Sequence, residues 1–212
     1  MAEKDLTNMT SEELVEALIE DNSLASEFDR LSLWNEFNSS HWLDLLSAQP
    51  QFIEKAKEYS SGWVAILQSK QELAKQCDKW NEFNSYEWSK LLTAQPQFAD
   101  KCDRWNEFPS HHWSDLLSAQ PQFIEKAKEF ASGWNAILLS NPELADQCDK
   151  WNEFEFWEWY DLLSYQPQFA DKCPNKKYDK FTQEQWDELE AKHPGVFEDI
   201  HMLSTLRTIA ED

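Results

Sequence analysis

WSKLLTAQPQFADKC, residues 88–102, reads as two short helices joined at a proline. Trp88, Leu91 and Leu92 stand at i, i+3 and i+4 and share one helical face. Pro96 lacks an N–H and has a fixed φ, so it discourages continuation of the first helix and suits the first position of a second. Phe98, Ala99 and Cys102 form the next apolar stripe, continued by Trp105. Helices of roughly two turns are unstable alone, so the unit must bury its faces against neighbours.

Those neighbours are copies of it. WLDLLSAQPQFIEKA begins at Trp42 and WVAILQSKQELAKQC at Trp63, and the pattern restarts at Trp113, Trp134 and Trp159. Residues 34–104 match residues 105–175 at 52 of 71 positions without a gap, which is an internal duplication. Fainter copies start at Leu14 and Trp186, so the eight anchors are spaced 28, 21, 25, 25, 21, 25 and 27 residues apart. Pro50, Pro121, Pro142, Pro167 and Pro194 recur at the joint.

The chain is therefore predicted to be all-α, an α-solenoid of about eight short two-helix repeats of 21–28 residues with a 71-residue super-repeat. Residues 1–33 read as an N-terminal capping repeat, 34–104 and 105–175 as two three-unit blocks, and 176–212 as a C-terminal capping repeat. Ile200, Leu203 and Leu206 predict a closing helix. In the 21-residue units a Ser/Gly turn around Gly62 and Gly133 replaces the NEF connection, and Tyr59 and Phe130 align with Trp80 and Trp151.

The pattern of Trp, two residues, Leu-Leu and then QPQFADKC resembles short tandem helical repeats of bacterial and phage proteins, over nearly the whole chain. That resemblance implies a fold and brings no catalytic residues with it.

Lys+Arg 19 against Asp+Glu 40 gives a formal charge of -21, a surface expected to repel nucleic acid and acidic membranes. No apolar run approaches the roughly 20 residues of a membrane-spanning helix, and MAEKDLTNMTSEEL has no signal-peptide core; a cytoplasmic protein is expected. Cys77, Cys102, Cys148 and Cys173 fall where aligned units carry Ala56 and Ala127, which marks them as small buried residues rather than zinc ligands or disulfides. His111 and His112 have no cysteine near them and read as solvated surface. No phosphate-binding glycine loop occurs, and no serine has a matching base. Neither a metal, a cofactor nor enzymatic activity is expected.

Most tryptophans occupy repeat-constant positions and read as core. The stretch WNEFEFWEWYDLL, residues 151–163, exceeds that pattern. The repeat accounts for Trp151, Phe154 and Trp159, but not for Glu155, Phe156, Trp157 and Tyr160 arriving together with Asp161. Charge diverges with them: residues 34–104 hold ten acids and eight bases, net -2, and residues 105–175 hold twelve and four, net -8. Lys70, Lys75, Lys90 and Asn84 stand where the second block has Asn141, Asp146, Asp161 and Glu155. Aromatic rings ringed by charge typify binding hot spots. The expected partner-binding residues are Asp146, Glu153, Glu155, Phe156, Trp157, Glu158, Tyr160 and Asp161, and the expected partner is a protein with a basic, nucleic-acid-binding surface. On this reading the chain is a non-enzymatic nucleic-acid mimic that blocks a nucleic-acid-handling protein, the class to which phage anti-CRISPR inhibitors belong. The alternative is a structural or adhesion repeat module, a soluble spacer in which the extra rings fill a wider gap between units.

Overall fold

The computed structural model describes residues 6–211, all of it helical or irregular, with no strand among the described residues. Residues 1–5 of the predicted N-terminal cap and residue 212 of the C-terminal one lie outside them. The chain divides into two compact units, Met1–Trp105 and Asn106–Asp212.

The first unit contains α1 (Ser11–Glu20), α2 (Ala25–Leu31), α3 (Ser39–Ala48), α4 (Ile53–Ala56), α5 (Ser60–Ser69) and α6 (Ser85–Ala94). The second contains α7 (Ser110–Ala119), α8 (Ile124–Ala127), α9 (Ala131–Ser140), α10 (Phe156–Tyr165), α11 (Asn175–Tyr178), α12 (Gln183–Lys192) and α13 (Glu198–Glu211). Each Trp anchor sits in a ten-residue helix, as the i, i+3, i+4 spacing requires.

The second helix of most repeats differs from expectation, although the first repeat keeps an α-helix there, α2. Pro96–Lys101, Pro142–Gln147 and Pro167–Lys172 are 3₁₀ helices, and Pro50 and Pro121 open three-residue 3₁₀ turns that lead into α4 and α8. With only six residues between the joint and the next loop, i→i+3 bonds close a turn with fewer residues than an α-helix needs; Phe98 N–H donates to Gln95 O at 3.2 Å and Cys102 N–H to Ala99 O at 3.1 Å. The stripe still points inward, with Phe98 and Cys102 buried.

The 21-residue units supply the inner helices. In α5, residues Gly62, Trp63, Val64, Ala65, Ile66 and Leu67 are all buried, because α3 packs on one side and α6 on another. α9 holds the same place between α7 and α10. A helix apolar all round is a buried helix. Gly62 and Gly133 lie within these helices and not in turns, correcting the expected Ser/Gly connection. They permit a close approach: a Cβ on Gly62 would stand 2.1 Å from the Ala56 carbonyl oxygen, and one on Gly133 2.0 Å from that of Ala127.

Ring stacking accompanies this change of path. Trp34, Trp80 and Trp151 stack forward on Trp42, Trp88 and Trp159 at centroid distances of 5.5, 5.8 and 5.5 Å. Tyr59 and Phe130 instead stack back, on Trp42 at 5.6 Å and Trp113 at 5.8 Å.

Three glutamines that precede a joint proline have a task that their sequence position does not announce. Gln49 Nε2 donates to Ile19 O at 2.8 Å, Gln95 Nε2 to Gln68 O at 2.7 Å, and Gln166 Nε2 to Leu139 O at 3.0 Å. Each bond ties the end of one anchor helix to the end of the preceding one. His193 Nε2 takes the same place 3.0 Å from Ser164 O. Gln166→Met keeps the chain length and removes the donor, and is expected to lower stability by about 1 kcal/mol; an unchanged melting temperature would show that the bond contributes nothing.

The two ends differ. Leu14, Ala17 and Leu18 are buried at i, i+3 and i+4, so Leu14 serves as an anchor, and Glu13 accepts from Thr10 N–H at 2.7 Å in a capping box. At the other end α13 forms, but Leu203 and Leu206 face outward with Met202 and Ile209, contrary to a stripe closing the core. α13 is held through a polar face: Ser204 Oγ donates to Asp179 at 2.8 Å, Arg207 pairs with Asp179 at 2.7 Å, and His201 stacks on Trp186 at 4.7 Å. Pro194 opens a turn, not a second helix, and Gly195 in that turn has φ +78°.

Candidate partner-binding surface

α10 carries most of the expected site residues. Trp159, Leu162 and Leu163 face the core, which leaves Trp157, Tyr160 and Asp161, at i, i+3 and i+4, on another face.

Glu158 is withdrawn from the surface. It is buried, and its Oε2 accepts from Glu155 N–H at 2.8 Å, an N-terminal cap. Glu87 does the same for Asn84 N–H at 2.9 Å and also accepts from the Ser60 hydroxyl at 2.9 Å. Ala131 replaces Ser60 in the second block, so that donor is gone. Burial holds the Glu158 carboxyl above its ordinary range; the negative charge of Glu155 adds to this, and the Glu155 N–H and Lys177 oppose it.

Glu155 pairs with Lys177 at 3.3 Å, and Glu153 with Lys150 at 2.9 Å, as Glu82 pairs with Lys79 at 2.8 Å in the first block. Phe156 is half-buried, edge-on to Trp157 at 5.1 Å, with Lys180 Nζ 5.9 Å from its ring centre. Tyr160 lies edge-on to Phe181 at 5.9 Å and donates its hydroxyl to Glu188. Burial, and then Glu188, pushes that hydroxyl up to about 12. Phe156 and Tyr160 thus engage the segment leading from α11 into α12, where the repeat sequence weakens.

Four of the expected residues are exposed: Glu153, already paired with Lys150, and Trp157, Asp161 and Asp146. Trp157 is 56 % exposed. Asp161, one turn further along the same helix, is exposed and makes no ion pair among the described residues; partial burial holds its carboxyl above the ordinary range, and the charges of Lys192 and His111 oppose this. Asp146 is exposed on a separate segment, Pro142–Gln147.

His112 corrects the sequence reading. It is buried, edge-on to Phe108 at 6.1 Å, while His111 is exposed. The position before each anchor is the third residue of its helix, where the side chain can turn back to cap. His41 Nδ1 accepts from Asn38 N–H there at 3.3 Å. Pro109 precedes His112 by three and has no N–H to offer.

Asn135 was missed, although the internal alignment exposes it as the polar residue replacing Val64 in an otherwise apolar stretch. It is fully buried; its Nδ2 donates to Glu158 O at 2.7 Å, and its Oδ1 has no hydrogen-bond partner among the described residues. Restoring the apolar residue, Asn135→Val, is expected to raise stability by about 1–2 kcal/mol, measured by urea denaturation; a loss of stability would show that the Glu158 contact outweighs the buried carbonyl.

The four cysteines are buried and form no disulfide, and burial pushes the Cys77 and Cys148 thiols up to about 11, which keeps those two protonated and unreactive. No group of three His, Cys, Asp or Glu side chains among the described residues could hold a metal. One shallow cleft in each unit lies at a proline joint, lined by Leu46, Pro50 and Ile66 in the first and by Leu117, Pro121 and Ile137 in the second, and neither is lined by a carboxylate, histidine or cysteine. No described helix is long and apolar enough to cross a membrane. Searches of protein-family models, curated proteins and solved structures return no match to this chain.

Proposed function

We propose that the chain is a non-enzymatic binding protein, an α-solenoid whose second block presents acidic side chains and Trp157 to a basic, nucleic-acid-binding surface of another protein, and so occupies that surface in place of a phosphate backbone. Serial packing of α1 on α3, α3 on α5 and α5 on α6 in one unit, and of α7 on α9, α9 on α10 and α10 on α12 in the other, supports the solenoid reading. The observation that carries the functional reading is local to α10 and the segment before it. Where the first block has Lys75 and Lys90, the second has exposed Asp146 and Asp161, and Asp161 shares α10 with Trp157, an indole that the fold leaves largely exposed. Long-range attraction between such a face and a basic groove speeds encounter and selects the partner's sign of charge. A phage inhibitor of a bacterial defence effector is one protein of this kind.

Phe156 and Tyr160 support the spacer reading for their own positions, because their rings pack or bond against the neighbouring repeat. Trp157 is not so used. The test is capture of a basic protein from bacterial lysate on the immobilised chain, followed by challenge with duplex DNA. DNA is expected to displace the captured protein. Retention in the presence of excess DNA would contradict mimicry of a phosphate backbone.

A further inference from the structure

The duplication contains its own comparison at the outer face of α10. Tyr86 and Lys90 of α6 align with Trp157 and Asp161 of α10, at the same i, i+4 spacing. In the first block the pair is closed within the chain: Lys90 Nζ stands 5.4 Å from the centre of the Tyr86 ring, a cation–π contact. In the second block the ring has grown to an indole, the more attractive surface for a cation, and its exposure rises from 39 % to 56 %. The cation has been exchanged for a carboxylate. Among the described residues no lysine or arginine lies over Trp157, whereas Trp34, Trp80 and Trp151 have Lys55, Lys101 and Lys172 within 5.7, 5.0 and 5.2 Å.

We infer that Trp157 and Asp161 form a receptor for one arginine side chain of the partner protein. The first block shows where the cation goes: the side chain at i+4 brings its charged end over the ring. With aspartate at that position, the carboxylate lies within a helical turn of the indole and the cation must come from outside. A guanidinium fits both elements, since it stacks flat on an aromatic face while its N–H groups bond a carboxylate in a fork. An ammonium is a point charge with a stronger hydration shell, and it satisfies the pair less well. Phe156, edge-on to Trp157, walls one side of the indole. This inference rests on the proposed acidic binding face and names the group that face selects.

The test is isothermal titration of the full chain with hexa-arginine and hexa-lysine peptides at low salt, using wild type, Trp157→Ala and Asp161→Lys. Wild type is expected to favour the arginine peptide by about fivefold, the scale of one exposed cation–π contact. Trp157→Ala should lose that preference, weakening the arginine peptide more than the lysine peptide. Asp161→Lys rebuilds the first-block pair and should lose the preference and weaken both peptides. Equal binding of the two peptides by wild type, or a preference that survives Trp157→Ala, would overturn the arginine receptor and leave the acidic face standing. If wild type binds neither peptide, the acidic binding face itself falls, and the receptor with it. Unchanged circular-dichroism melting of Trp157→Ala secures the comparison, because its side chain is mostly outside the fold.

Discussion

Trp134→Ala is expected to destabilise the protein by about 4 kcal/mol, the middle of the range for deleting a buried aromatic side chain. Trp134 is 2 % exposed on α9, which is covered by α7 and α10, so neighbours on both sides would border the cavity. Its indole N–H is buried without a hydrogen-bond partner among the described residues. Ring volume, not a polar anchor, therefore holds it in place. Trp157→Ala offers the contrast: removal of an indole that is 56 % exposed should change stability by no more than about 0.5 kcal/mol. Urea denaturation of the two variants measures both. Similar costs would mean that the repeat-constant tryptophans are not the core that their spacing implies.

Gly133→Ala and Gly62→Ala should each cost about 3 kcal/mol, although alanine ordinarily improves a helix interior by up to about 1 kcal/mol over glycine. Geometry reverses the sign. The new Cβ would meet backbone, Ala127 O at 2.0 Å or Ala56 O at 2.1 Å, and a carbonyl in the chain path cannot rotate away as a flexible side chain can. Relief requires α9 or α5 to move off the repeat before it, which loosens the most buried helix of the block. Gly195 has nothing within 4 Å of such a Cβ, and only its φ of +78° opposes substitution, so Gly195→Ala should cost about 1 kcal/mol. Thermal melting of all three ranks them; a stabilised Gly133→Ala would show that α9 does not sit against Ala127 as described.

Much of this was legible in the sequence because one pattern was written several times. Trp, Leu, Leu at i, i+3 and i+4 places the anchor helices, and the prolines mark each joint. What the pattern could not convey was distance. Gly62 and Gly133 resembled turn residues, and their actual constraint, a carbonyl from the preceding segment, appears only when the helices are packed. Gln95 looked like a polar residue next to a proline until Gln68 O stood 2.7 Å away. The 3₁₀ form of the second helices follows from how few residues lie between joint and loop, a length effect that apolar spacing does not register. At α13 the periodicity was real but its direction was not: the helix turns Ser204 and Arg207 toward Asp179 and leaves Leu203 and Leu206 outside.

The candidate site divides along similar lines. Excess over the repeat drew attention to residues 155–161, but it did not separate groups used by the fold from those left over. Glu158 sits at the third position of α10, where a carboxylate caps, and Glu87 at the same place gave the means to see this. Phe156 and Tyr160 answer a change in the following repeat, where Phe181 and Lys180 meet them. Trp157 is left mostly exposed, and Asp161 forms no ion pair among the described residues.

On the proposed function, the negative charge gained by the second block binds a basic partner. This is tested most directly by returning that charge to the first-block pattern in the full chain, with Asn141→Lys, Asp146→Lys, Glu155→Asn and Asp161→Lys together, and measuring the affinity of the captured protein for this variant and for wild type from low to high salt. Wild-type binding is expected to weaken steeply with salt, as exposed charges are screened, and the variant to bind at least about tenfold more weakly at low salt, each tenfold being about 1.4 kcal/mol. Equal affinities that do not change with salt would contradict it.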